Sequence, residues 1–103
     1  MLIYLSGGIT NVPDYLERFA RAEKVLTERG MSVINPAKVN SMMPQGTSYD
    51  QYMKMSLCML SMCDRIYMID GWENSKGANK EREYARKHGI DIRRFIDEIS
   101  TDN

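Results

Sequence analysis

The sequence predicts an α/β fold: one Rossmann-like domain with a four-stranded parallel sheet and helices on both faces. Two observations predict it. Short apolar runs rich in β-formers alternate along the chain with amphipathic stretches of helical period. Strands that alternate with helices make a parallel sheet with right-handed crossovers. The chain has 103 residues, the length of one domain and not two. Residues 1–103 are therefore read as a single domain with 93–103 as its tail. Three crossovers suit the flavodoxin-like strand order 2-1-3-4. In that order the first and third strands are neighbours, and a ligand crevice opens at their C-terminal ends, Leu5-Ser6-Gly7 and Asp70-Gly71-Trp72.

Each element follows from local pattern. Leu2-Ile3-Tyr4-Leu5 is a buried strand ended by glycines. Residues Asp14 to Arg29 form a helix with Leu16, Phe19, Ala22 and Leu26 on one face, and Gly30 stops it. Met31 to Asn35 is a second strand, broken by Pro36. Ala37 to Thr47 reads as a polar loop. Ser48 with Gln51 three residues later makes a capping box, and the helix it opens runs to about Met62. That helix is apolar on most sides, so burial on several sides is expected, against the sheet and a second subunit. Its methionines read as core or interface rather than as a cofactor site. Arg65 to Asp70 is the third strand, Gly71 to Asn74 a turn, and Lys76 or Gly77 to His88 a helix stopped by Gly89. Ile90-Asp91-Ile92 is a brief fourth strand, followed by a tail with one or two helical turns around Phe95, Ile96 and Ile99.

Composition narrows the function classes. Lys+Arg and Asp+Glu are both 14, so the electrostatic footprint of a DNA- or RNA-binding protein is absent. A small anionic ligand held by local dipoles stays open. Cys58 and Cys63 point roughly 140° apart on a helix and read as buried, reduced thiols of a cytoplasmic protein. With one histidine, His88, no metal-ligand spacing is present, and no cofactor is expected. The first apolar run is too short for a signal peptide, and nothing approaches membrane-spanning length. A core of this size that also holds a ligand pocket is small, so a homodimer or larger assembly is expected.

The chemistry concentrates in two stretches, Tyr4-Leu5-Ser6-Gly7-Gly8 and Ser75-Lys76-Gly77-Ala78-Asn79-Lys80-Glu81. Gly7-Gly8 makes either a tight turn or a close backbone approach to an anion. Ser75-x-Gly77 at a helix start is a cap or a phosphate cradle. Ala78, Glu81 and Ala85 share a helix face. Small residues on a face suggest close packing on the sheet, so Glu81 points inward or into the crevice, while Glu83 faces solvent. A carboxylate there can touch the sugar of a nucleotide whose phosphate sits on the helix N-terminus. Tyr4, beside the switch point, is either a core tyrosine or a hydroxyl presented to Glu81 or to a sugar. Asp70 is a binder of sugar hydroxyls, a proton donor, or a turn-forming Asp before Gly.

Tyr4-Leu5-Ser6-Gly7-Gly8-Ile9, Asn35-Pro36, Cys63-Asp64-Arg65-Ile66 and Ser75-Lys76-Gly77-Ala78-x-x-Glu81 together resemble the nucleoside 2-deoxyribosyltransferase superfamily. The match is closest to its small members, and the superfamily also includes the deoxynucleoside monophosphate N-hydrolases. The resemblance spans roughly residues 2–92. It implies an N-glycosidic bond as substrate, in a small-molecule nucleoside or nucleotide. It implies Glu81 as the nucleophile at the anomeric carbon and Tyr4 as the residue that orients it. It places Ser6, Gly7, Gly8, Ile9, Ser75 and Gly77 around the substrate, with Ser75 near a phosphate. Such chemistry is that of a retaining glycosidase, with a covalent intermediate resolved by water or a second base.

One position departs from the superfamily. An aspartate that protonates the leaving base usually stands eight residues before the Asp of the Cys-Asp pair, and here that residue is Ser56. Asp70, or Asp50 at the start of the helix, is then the candidate acid. Without one, catalysis loses a contribution of ~10²–10⁴-fold. Two readings follow: a nucleoside or nucleotide N-glycosidase or deoxyribosyltransferase, and a binding module that holds a nucleotide-derived ligand without turnover. An inward carboxylate is costly to keep in a pocket that only binds an anion, which favours the enzyme.

Overall fold

A computed structural model describes residues 1–100. The sheet has four parallel strands in the order β2-β1-β3-β4, as the sequence predicts. In chain order these are β1 (Leu2–Ser6), β2 (Ser32–Ile34), β3 (Arg65–Met68) and β4 (Asp91–Arg94). The helices are α1 (Tyr15–Glu28), α2 (Pro36–Ser41), α3 (Tyr49–Ser61), α4 (Lys76–Lys87) and α5 (Phe95–Ser100), with one turn of 3₁₀-helix at Trp72–Asn74.

The period of two along each strand sorts the core into two layers. Ile3 and Leu5 of β1 join Tyr67 and Ile69 under α1, α2 and α5, with Phe19, Ala22, Leu26, Ala37 and Phe95. Tyr4 of β1 joins Ile66 and Met68 under α3 and α4, with Leu60, Ala78 and Ala85. The two strands at the switch point are in register, Tyr4 beside Ile66 and Ser6 beside Met68. The alternation therefore aims the side chains of Tyr4 and Ser6 at the layer that holds α4.

Local signals explain most boundaries. Ser48 accepts from Gln51 N at 3.1 Å while the Gln51 side chain accepts from Ser48 N at 2.9 Å, the reciprocal box that opens α3. Gly30 and Gly89 end α1 and α4 with φ of +88° and +69°, a region that L-residues rarely adopt.

Two expectations need correction. Residues read as the start of a loop form α2. Asn35 Oδ1 accepts from Ala37 N and Lys38 N at 3.1 and 3.3 Å, and Pro36 takes the first helical position, where its missing N–H costs nothing. The Asn-Pro pair that breaks β2 thus also starts a helix. Within one chain α3, the helix expected to meet a second subunit, buries Ser56 and Leu60, and Met62 beyond its end is 59% exposed. Cys58 is exposed rather than buried, and Cys63 lies past the end of the helix, buried with its thiol on Met59 O at 3.4 Å. Burial pushes the Cys63 thiol up to about 11, so it is protonated near neutrality.

The Cys-Asp-Arg motif has structural work. Asp64 Oδ2 accepts from Leu2 N at 2.9 Å and Asp64 N donates to Leu2 O at 2.8 Å, which locks the start of β1 to β3. The tail is fastened too. The Tyr67 hydroxyl donates to Glu98 Oε1 at 2.6 Å and Arg29 pairs with Glu98 at 2.9 Å. The last part of the tail, residues 101–103, lies outside the described residues. No helix among the described residues is long and apolar enough to cross a membrane.

Candidate functional site

Glu81 sits on the sheet-facing side of α4, between Ala78 and Ala85, and only 7% of it is exposed. Its carboxylate is held by two hydroxyls from β1. Tyr4 donates to Oε2 at 2.7 Å and Ser6 donates to Oε1 at 2.6 Å. The strand period puts both donors on one face, and the small neighbours of Glu81 let α4 approach closely enough for short contacts. Ser56, buried on α3, lines the same cavity, and its hydroxyl dipole lowers the pKa values of both Tyr4 and Glu81.

Burial raises the Glu81 pKa above the ordinary carboxylate value, and the hydroxyls of Ser6, Tyr4 and Ser56 pull it back down. Removal from water penalises the charged form, while donors aimed at it favour that form. The Tyr4 pKa is raised well above its ordinary value, first by burial and then by the neighbouring Glu81 charge. Tyr4 therefore stays protonated and remains a donor to the carboxylate.

Glu81 lines a cavity of about 250 Å³. Helices supply its walls in pairs one turn apart: Tyr15 and Phe19 from α1, Pro36 and Asn40 from α2, Tyr52 and Ser56 from α3. Gly7 and Ile9 close it after β1, and Ser75, Gly77 and Ala78 close it at the N-terminus of α4. The cavity thus opens at the C-terminal ends of β1 and β3, at the switch point. Its volume lies just below the ~300–1,000 Å³ range of small-molecule pockets.

Gly7 is fixed by packing. A Cβ there would stand 3.0 Å from Ile69 Cβ and 3.4 Å from the Phe19 ring. Ser75 caps α4, its Oγ accepting from Ala78 N at 3.1 Å, and it also faces the cavity. Beside it, the ammonium groups of Lys76 and Lys80 stand 5.4 and 5.0 Å from the ring centre of Tyr49, another lining residue.

The structure brings together Tyr4, Ser6, Ser56, Glu81, Gly7, Ile9, Ser75 and Gly77. Gly8 and Asp70 line an adjoining groove that shares Thr10, Phe19, Tyr49 and Ser75 with the cavity, and Asp70 is exposed. The chain turns sharply after Ile69, with Gly71 at φ +88°, which carries Asp70 onto the rim. Asp50, in the first turn of α3, is also exposed. Glu81 is the sole carboxylate lining the cavity among the described residues, and those residues hold no group of three or more His, Cys, Asp or Glu suited to a metal ion.

Sequence reasoning passed over Tyr15, Pro36, Asn40, Tyr49 and Tyr52. The aromatic pairs at helical spacing on α1 and α3 carried the signal, but such spacing is also what a core face looks like. Pro36 and Asn40 were hidden because α2 was read as loop.

Residues 1–94 match the family model described as a domain of unknown function, DUF4406. The chain belongs to the DUF4406 family. Its fold is shared with a solved 2-deoxyribosyltransferase from the psychrotolerant bacterium Bacillus psychrosaccharolyticus, described as a biocatalyst for the synthesis of antiviral and antitumoral nucleosides. The TM-score is 0.74 at 21% identity, over 91% of this chain and 71% of that one. Comparison by sequence with curated proteins gives no match. The DUF4406 chain described here is therefore built on a nucleoside deoxyribosyltransferase fold.

Proposed function

We propose that this protein is a member of the nucleoside 2-deoxyribosyltransferase superfamily that cleaves or exchanges the N-glycosidic bond of a nucleoside or nucleoside monophosphate, with Glu81 as nucleophile. The observation that carries the reading is the buried Glu81 carboxylate, gripped by Tyr4 and Ser6 and open to a cavity at the switch point. A structural carboxylate at that depth would be paired with a cation. This one is paired with two neutral hydroxyls, which orient it and favour its anionic, nucleophilic form against the effect of burial.

In the first step a Glu81 oxygen bonds to the anomeric carbon as the bond from that carbon to the base nitrogen breaks. The electron pair leaves with the base, which takes a proton from water. In the second step the oxygen of a water, or the nitrogen of a second base, attacks the same carbon. The incoming group loses its proton to solvent and Glu81 departs as carboxylate. Two displacements at one carbon retain configuration. The tyrosines lining the cavity offer faces for a planar base, and Lys76 and Lys80 beside Tyr49 favour an anionic substrate over a neutral one.

The absence of a second cavity carboxylate favours one alternative, a module that binds a nucleotide-derived ligand without turnover. Ser56 cannot protonate a leaving base as a carboxylic acid does. Release of free base from a panel of ribo- and deoxyribonucleosides and their monophosphates decides between the two. Release by the wild type supports the enzyme, and ligand-induced thermal stabilisation without release supports the binding module.

A further inference from the structure

Among the described residues, Glu81 is the one charged residue that lines the cavity, and no Lys, Arg or His lies in that wall. Its carboxylate is buried and answered by two neutral hydroxyls, those of Tyr4 and Ser6. Much of the remaining wall is aromatic, with Tyr15, Phe19, Tyr49 and Tyr52. An aromatic ring attracts a cation to its face. Tyr49 already draws two, the ammonium groups of the exposed Lys76 and Lys80 at 5.4 and 5.0 Å from its centre. A buried carboxylate within a wall of rings is a negative site whose own donors carry no charge. A cation brought in by the ligand is its electrostatic complement.

We propose that the base of the substrate carries a fixed positive charge on its ring, as in a pyridinium nucleotide or an N-alkylated purine nucleotide. The inference rests on the glycosidic-bond reading of the site and names its substrate class. The same charge answers a second feature of the wall. Its one carboxylate is the nucleophile, so among the described residues no second one is there to protonate a leaving base. A cationic base needs no such donor. As a Glu81 oxygen bonds to the anomeric carbon, the bond from that carbon to the ring nitrogen breaks, and its electron pair cancels the charge of the ring. The base departs neutral and takes up no proton. The carboxylate becomes a neutral ester in the same step, so two opposite charges disappear together, which a site removed from water favours. Water then attacks the anomeric carbon, gives its proton to solvent and frees the Glu81 carboxylate. The ammonium groups of Lys76 and Lys80 suit the 5′-phosphate of such a nucleotide.

The test uses the full chain and two kinds of probe. The first is an inert pair: carbocyclic nicotinamide mononucleotide, in which a methylene replaces the ring oxygen of the sugar and blocks cleavage, and the same compound with its pyridinium reduced to a neutral dihydropyridine. Calorimetry on wild type is expected to give a Kd lower by about 10-fold or more for the cationic form. In Glu81→Gln that preference should fall to near unity, through loss of affinity for the cationic form. Glu81→Ala is the second variant should the first fail to fold. The second kind reports turnover. It comprises nicotinamide mononucleotide and the pair of 7-methylguanosine and guanosine 5′-monophosphates, that pair also as 2′-deoxynucleotides. Free base is followed above the spontaneous rate. The kcat/KM of a cationic probe should exceed that of guanosine monophosphate by more than ~10²-fold, the lower end of what a general acid contributes. Release of nicotinamide alone assigns the pyridinium class, and release of 7-methylguanine alone assigns the alkylated purines.

Guanosine monophosphate cleaved as fast as its 7-methyl form overturns the proposal and leaves the glycosidic reading standing. Equal binding of the inert pair by wild type overturns it too, as does a preference that survives in Glu81→Gln. Charge-dependent binding without base release from any probe contradicts the glycosidic reading and leaves the cavity a binder of cationic ligands. A wild type that neither binds nor cleaves any probe contradicts both.

Discussion

A carboxylate taken out of water is destabilising unless something stabilises its charge, and at Glu81 two short hydrogen bonds only partly offset that cost. The residual effect gives a signed prediction. The folded state holds the Glu81 proton more tightly than the unfolded chain does. The protonated carboxyl therefore adds stability below the ordinary carboxylate range, and that stability is lost as pH rises through the raised folded value. Glu81→Gln should melt at or above the wild-type temperature at neutral pH, and the difference should close on acidification. A variant that melts lower at neutral pH would mean that the charge is stabilised better than this geometry allows. The same shift governs activity, because the nucleophile must be ionised. The acid limb of kcat/KM should lie above the usual carboxylate value, and Ser6→Ala should move it higher by removing a donor to the anion. Tyr4→Phe leaves the ring in the core but deletes a hydrogen bond to a charged group, worth about 1.5–3 kcal/mol. Loss of that bond from the folded state should lower the melting temperature by several degrees, and kcat should fall because the carboxylate loses a donor that orients it. Equal kinetics in Tyr4→Phe would remove that residue from the machinery.

At the scale of elements, the site exists because three local patterns agree. The alternation of β1 sends Tyr4 and Ser6 to one side and Ile3 and Leu5 to the other. The small residues flanking Glu81 bring α4 down onto that side. The α2 cap then closes the cavity. The first two were legible in the sequence, since a period of two and an i, i+3, i+7 face can be read without coordinates. The third was not, because Asn35-Pro36 signals both the end of a strand and the start of a helix, and a helix as short as α2 has too few residues to show periodicity. Asn35→Ala should cost about 1 kcal/mol through loss of the cap. It should also weaken ligand binding, because α2 carries Pro36 and Asn40 into the cavity wall. Denaturant melts and calorimetry read the two effects separately, and a loss of stability with unaltered affinity would detach α2 from the site. Gly7→Ala tests the β1 end. The new methyl would meet Ile69 Cβ at 3.0 Å, and overpacking of this kind costs about 1–3 kcal/mol.

At the scale of the whole molecule, strand order was readable from the alternation of strands and helices, and it located the crevice before any side chain was placed. The composition of the cavity wall was not readable. Tyr15, Asn40, Tyr49 and Tyr52 come from three separate helices, and only tertiary packing brings them together. Asp70 shows the converse, since its place beside the crevice in sequence order became an exposed rim position once Gly71 turned the chain. Large apolar side chains remain on the surface, Met42 at 86% exposed and Met62 at 59%. We expect a homodimer or larger assembly that covers the α3 side, and sedimentation at micromolar concentration showing monomer alone would contradict it. The central claim, that Glu81 is a glycosidic nucleophile, is tested most directly by following free base chromatographically across a panel of nucleosides and nucleoside monophosphates, with wild type and Glu81→Ala side by side. The account predicts base release by the wild type and a loss of more than ~10³-fold in the variant, with the fold intact. Release at an equal rate from both proteins would contradict it.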